Sequence, residues 1–164
     1  MTPPAAHTPP EIELVLETLA STPTQIARIV RGHDDRQLLR QPAAGEWSAR
    51  DIVAHLRACA AVWGRCIDRM ITEDHPTIRH VSPRTWIRKT DYLDQGFRVS
   101  LREFSEARAR LLDRVRLLDA AGWSRRATVT GTTSGRDATV LTYARRIADH
   151  EVHHLDQLRR TVAR

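Results

Sequence analysis

Near the C-terminal end of the sequence, Asp149-His150-Glu151-Val152-His153-His154 places two imidazoles, His150 and His154, four residues apart. On a helix, positions i and i+4 project from one face about one turn apart. Such a pair can offer two nitrogen donors to one divalent ion. With Glu151 after the first histidine, the stretch also matches H-E-x-x-H, in which two histidines hold zinc and the glutamate acts as general base. A third ligand must come from elsewhere, and the best candidate is His55, within Ile52-Val53-Ala54-His55-Leu56. The competing reading is bland: histidines on a helix surface or filling a core, satisfied by hydrogen bonds. Register favours the metal. His150 and His154 continue the stripe of Tyr143, Ile147 and Leu158, so they face inward, where a neutral imidazole needs a hydrogen-bond partner or a metal to offset desolvation. His153 is turned about 100° away from His154 and faces solvent or stands behind a ligand.

Four helical segments must position these residues, and no strand alternation is visible. The first spans 10–31, with Ile12, Leu14, Val15, Leu19, Ile26 and Ile29 as its apolar stripe and Pro23 predicted to kink or divide it. A short helical turn follows at 34–39. Ser48 is a good N-cap for the second segment, 48–72, with Asp51 completing an acidic capping box. His55 shares that segment's stripe with Ile52, Cys59, Val62, Cys66 and Ile67. The third segment, 90–120, is closed by Gly122. A loop over 123–137 with room for a short extended excursion leads to Thr139, the N-cap of the last segment, which runs to 162. The reading is all-α: a four-helix bundle with at least one longer connection, its site built from facing helices. Residues 1–9, rich in proline, are expected to be a disordered tail, and 10–164 to be the bundle domain.

The chain has 164 residues and a formal charge of +6, but its 26 basic residues include one lysine, Lys89, and alternate with acids along the helices, as in Arg108-Ala109-Arg110-Leu111-Leu112-Asp113-Arg114. That is a solvated face without a nucleic-acid motif, so no nucleic-acid partner is expected. No apolar run reaches the roughly 18 residues of a membrane span and no secretory signal is seen, so a cytoplasmic protein is expected. Cys59 and Cys66 lie two helical turns apart, too far for a disulfide, and read as small buried apolar residues.

Two blocks carry a family resemblance. Gly45-Glu46-Trp47-Ser48-Ala49-Arg50-Asp51-Ile52-Val53-Ala54-His55-Leu56 contains a W-S-x-x-x-x-x-x-H-L entry to the second helix at Trp47, Ser48, His55 and Leu56. An H-x-x-x-H-x-x-Q signature follows at His150, His154 and Gln157. Together they resemble the DinB/YfiT-like superfamily of four-helix metalloproteins over essentially the whole chain, although the usual Arg-Gly-Gln after the last histidine is Leu155-Asp156-Gln157 here. The resemblance implies a three-histidine site at His55, His150 and His154 for a divalent ion, zinc or nickel, with an open position for water or substrate. Gln157 and Asp51 are the candidates for a supporting shell, Asp51 doubling as the helix cap.

Branches of that superfamily look like transferases using a low-molecular-weight thiol such as bacillithiol or mycothiol, so the implied function is conjugation of that thiol co-substrate to small electrophiles in a stress response. An open divalent site favours the thiolate, the attacking species. Arg57, Arg145 and Arg146 are named as anchors for the thiol, and the four tryptophans as an apolar lining, with Trp47 seating the second helix. The sequence singles out no catalytic side chain. The alternatives are a metal-dependent hydrolase, with Glu151 as base, and a non-enzymatic metal-binding stress protein; a homodimer is compatible with each.

Overall fold

The computed structural model describes residues 9–131 and 136–164; of the expected tail 1–9, all but Pro9 lie outside them. Four long helices, α1 (Pro10–Ile29), α3 (Ala49–Thr72), α5 (Phe97–Val115) and α7 (Val140–Val162), form the bundle. Contacts run α1 to α7, α7 to α3, α3 to α5 and α5 back to α1, which leaves α5 and α7 on one diagonal. Shorter helices α2 (Asp35–Leu39), α4 (Pro83–Ile87) and α6 (Ala120–Trp123) fill the connections.

Local chemistry sets the boundaries. Ser48 and Asp51 form a reciprocal capping box, the Asp51 amide donating to Ser48 Oγ at 3.2 Å and the Ser48 amide to Asp51 Oδ2 at 3.0 Å. Thr139 and Thr142 cap α7 in the same way. Such caps satisfy backbone donors that a helix start leaves orphaned. Just upstream, Gly45 at φ +79° makes the turn that delivers Trp47 to the start of α3.

Several expectations are corrected. Helix α1 passes through Pro23 undivided, because buried Ile12, Val15, Leu19, Thr22 and Ile26 hold both halves on one packed face; division of the helix is the part of that expectation that is overturned. Leu14, placed on that stripe, points to solvent. Helix α5 starts at Phe97, since 90–96 close into turns such as Asp94 amide to Asp91 carbonyl, 2.9 Å. Gly122 lies within α6, whose start is capped by Asp119, and does not end the preceding helix.

The extended excursion expected within 123–137 belongs to a small sheet, which the sequence reading does not include. Strand β1 (Thr77–Arg79) pairs in parallel with β2 (Arg126–Thr130), and β2 pairs antiparallel with β3 (Arg136–Thr139). Strands of three to five residues show too little alternation to register as a period of two. The sheet seats Ile78, Ala127 and Val129 against the cluster of Trp63, Ile67, Val115, Trp123 and Ile147. A second apolar cluster, around Ile26, Ile52, Leu56, Phe104 and Leu158, fills the other part of the bundle. No helix among the described residues is long and apolar enough to cross a membrane.

Candidate metal centre

Helices α3 and α7 are neighbours, and their contact brings His55 against His150 and His154. The ring centroids lie 5.3 Å apart for His55 and His150, 4.9 Å for His55 and His154, and 4.4 Å for His150 and His154. Nε2 of His55 stands 3.1 Å from Nε2 of His150. His55 and His154 are buried, His150 is half-buried and His153 is exposed.

Aromatic walls hold the rings. Trp47 stacks on His154 at 6.0 Å with an interplanar angle of 10° and tilts against His55 at 5.0 Å. Trp63 meets the edge of His150 at 4.9 Å. His154 Nδ1 donates to Gln157 Oε1 at 2.7 Å, which fixes the tautomer that leaves the Nε2 lone pair free.

The same burial sets protonation. Desolvation, helped by His154 and His150, holds His55 down at about 3. Desolvation, helped by His154 and His153, holds His150 at about 4. Desolvation lowers His154 as well, against its bond to Gln157. All three are therefore neutral at physiological pH, the form that ligates metal. Because the folded-state values lie below the unfolded 6.5, the folded protein binds fewer protons than the unfolded chain across that interval. The metal-free protein should hold this part of its stability above about pH 6.5 and lose it as pH falls toward 4. Thermal melts of metal-stripped protein at stepped pH will show a falling Tm over that range, and a shallower fall in His150→Gln, which cannot titrate there.

His55 and His150 fit a divalent ion by geometry as well as by charge; among the described residues the side chains whose ligand atoms all lie within 4.8 Å of one another are His55, Cys59 and His150, and His154 stands outside that group. Two nitrogens each about 2.0–2.1 Å from one tetrahedral zinc stand about 3.3 Å apart, close to the 3.1 Å between His55 and His150. Neutral imidazole is a borderline donor suited to zinc and nickel. Removing the support of Gln157 by Gln157→Leu should weaken zinc binding by about 10–100-fold, measured by competition against a chromophoric chelator.

The structure also places what the sequence left open or misjudged. Asp51 is engaged in the cap and with Arg50, and makes no hydrogen bond to an imidazole among the described residues. Glu151 is 2% exposed and forms an ion pair with Arg108 of α5, itself 1% exposed. It is thus committed to the interior and does not stand as a base beside the histidines. Cys59 lies against the cluster, its Sγ 3.4 Å from His55 Nε2 and 3.5 Å from His150 Nε2. Its i+4 spacing from His55 carried that signal in the sequence, where it read as core filler. Both cysteines are free and buried.

Beside His154 opens a cleft of about 430 Å³, lined among others by Trp47, Arg84, His153, Gln157, Arg160 and Arg164. Its arginines differ from the three named from sequence. Arg57 is held by Gln95 and lies over Tyr92, Arg145 pairs with Glu11, and Arg146 covers Trp63. Arg84 lies 5.6 Å over the Trp47 ring. Arg164 is paired with Glu46, whereas Arg84 and Arg160 have no carboxylate partner among the described residues.

A family model described as the DinB superfamily matches residues 18–158. Among solved structures, YfiT from Bacillus subtilis, described as a probable metal-dependent hydrolase with an unusual four-helix bundle topology, matches with a TM-score of 0.74. The match has 21% identity and covers 98% of this chain and 93% of that one. At that identity the likeness is one of fold. No curated protein matches the chain.

Proposed function

We propose that this chain, which belongs to the DinB superfamily, is a divalent-metal-dependent S-transferase joining a low-molecular-weight thiol, of bacillithiol or mycothiol type, to a small electrophile. The observation that carries the reading is the convergence of three neutral imidazoles beside a cleft with two guanidinium groups that have no carboxylate partner among the described residues. His55, His150 and His154 would hold the ion, zinc or nickel. When bound, that ion supplies positive charge that favours the thiolate over the thiol at neutral pH.

The chain's own residues supply the rest. Gln157 keeps the His154 ring oriented and its Nδ1 protonated. Trp47 and Trp63 wall the histidines. Arg84 and Arg160 present forked donors suited to a carboxylate or to sugar hydroxyls of the thiol. Transfer forms one bond from the thiol sulfur to the electrophilic carbon as that carbon's bond to its leaving group breaks, the electron pair departing with the leaving group and the thiol proton passing to it or to solvent.

The description of YfiT supports a second reading, metal-dependent hydrolysis. In its H-E-x-x-H form that reading needs Glu151 free to take a proton from water, and the Arg108 pair occupies it. Thiol transfer needs no such base. The test is consumption of free thiol by the metal-loaded protein with bacillithiol, mycothiol or glutathione and a panel of electrophiles. Metal-dependent turnover with one thiol is expected, with KM for that thiol raised in Arg84→Ala. Ester or amide cleavage with no thiol consumed would overturn transfer in favour of hydrolysis.

A further inference from the structure

We infer that Cys59 is a fourth protein ligand of the ion, making a site of three imidazoles and one thiolate; the inference rests on the metal-site reading above. Cys59 follows His55 by four residues on α3, so the two side chains share a face one turn apart. Its sulfur lies 3.4 Å from Nε2 of His55 and 3.5 Å from Nε2 of His150, and the three atoms all fall within 4.8 Å of one another. A thiolate sulfur at about 2.3 Å and a nitrogen at about 2.0–2.1 Å from one tetrahedral zinc stand roughly 3.5 Å apart. All three separations thus match a shared ion.

The other cysteine serves as an internal control. Cys66, two turns further along α3, donates to the Val62 carbonyl at 3.4 Å, as an ordinary buried thiol does. The side-chain neighbours of Cys59 at hydrogen-bond distance are the two imidazoles.

The consequence is chemical selectivity. A thiolate among three imidazoles favours zinc, cobalt or nickel and disfavours the hard ions magnesium and manganese. It also lowers the net charge of the loaded site by one. Cys59 is 3% exposed and does not line the cleft beside His154, so it binds from the buried interior, and with four protein ligands an incoming ligand on the cleft side makes the ion five-coordinate.

Cobalt(II) tests this. Metal-stripped protein loaded with one equivalent of cobalt(II) without oxygen should show visible d–d bands and a near-ultraviolet thiolate-to-cobalt charge-transfer band. Cys66→Ser should keep both; Cys59→Ser should keep the visible bands and lose the charge-transfer band. Visible bands without charge transfer in the wild type, or a charge-transfer band that survives in Cys59→Ser, would overturn the role of Cys59 while leaving the histidine site intact. Failure to bind cobalt at all would overturn both. X-ray absorption of the wild-type zinc protein keeps the question decidable if Cys59→Ser does not fold. One sulfur at about 2.3 Å among nitrogens at about 2.0–2.1 Å is expected, and nitrogen or oxygen scatterers alone would refute the assignment.

Discussion

Arg108→Ala should lower stability by about 3–5 kcal/mol, the typical cost of removing one partner from a buried ion pair. For a chain of this size that is a fall in Tm of roughly 10 °C or more. Arg108 and Glu151 join α5 to α7 across the diagonal of the bundle, where the helices themselves make little contact. Both side chains are almost fully buried. Burial pushes the Glu151 carboxyl up, while Arg108 and Thr22 pull it back down. Nε and Nη1 of Arg108 and Oε2 of Glu151 find no hydrogen-bond partner among the described residues, so the pair already carries part of its desolvation uncompensated. Alanine at 108 would strand the carboxylate and open a cavity beside Phe104, whose ring lies 5.4 Å from the guanidinium carbon. The double variant Arg108→Met, Glu151→Leu should recover most of the loss, because apolar residues of similar volume replace a buried pair at little or no cost. Urea unfolding of Arg108→Met, Glu151→Leu and the double closes the cycle; either single variant within about 1 kcal/mol of wild type would refute this account of the pair.

His150→Ala has the second large effect, on metal and not on fold. The half-buried ring contributes a nitrogen donor and, unlike a core aliphatic, is not fully buried, so helical content should be unchanged in circular dichroism. Zinc at about 100 times its Kd should stabilise the wild type by about 2.7 kcal/mol, through mass action alone. The variant should show no such increment, and its Tm should not respond to added zinc. A variant that still gains stability from zinc would exclude His150 as a ligand; one that unfolds would mark the ring as structural.

The juxtaposition of the three histidines was legible because helical register carries it. His150 and His154 extend the Tyr143, Ile147 and Leu158 stripe, and His55 sits on the stripe of Ile52 and Val62, so packing α3 on α7 brings the rings together. The Ser48 and Asp51 cap was equally local. What escaped the reading depends on distant partners. The tie between Glu151 and Arg108 joins residues 43 apart in sequence, and no local pattern marks it. The cleft arginines come from α4 and the end of α7, and nothing in their spacing separates Arg84 and Arg160 from Arg57 or Arg145. The sheet is assembled from strands too short to show a period, and three helices, α4, α5 and α6, separate β1 from β2. Cys59 is a different case. Its spacing from His55 was in plain view, and a buried cysteine on an apolar stripe simply has core packing as its common role.

His55, His150 and His154 are proposed to hold a divalent ion. The most direct test is elemental analysis of protein purified without an affinity tag or chelator, before and after reconstitution with zinc or nickel, beside His154→Ala carried through the same steps. Near one equivalent of metal per chain in the wild type, and background in the variant, is the predicted result. A wild type that stays metal-free after reconstitution, or a variant that holds as much metal as the wild type, would contradict it.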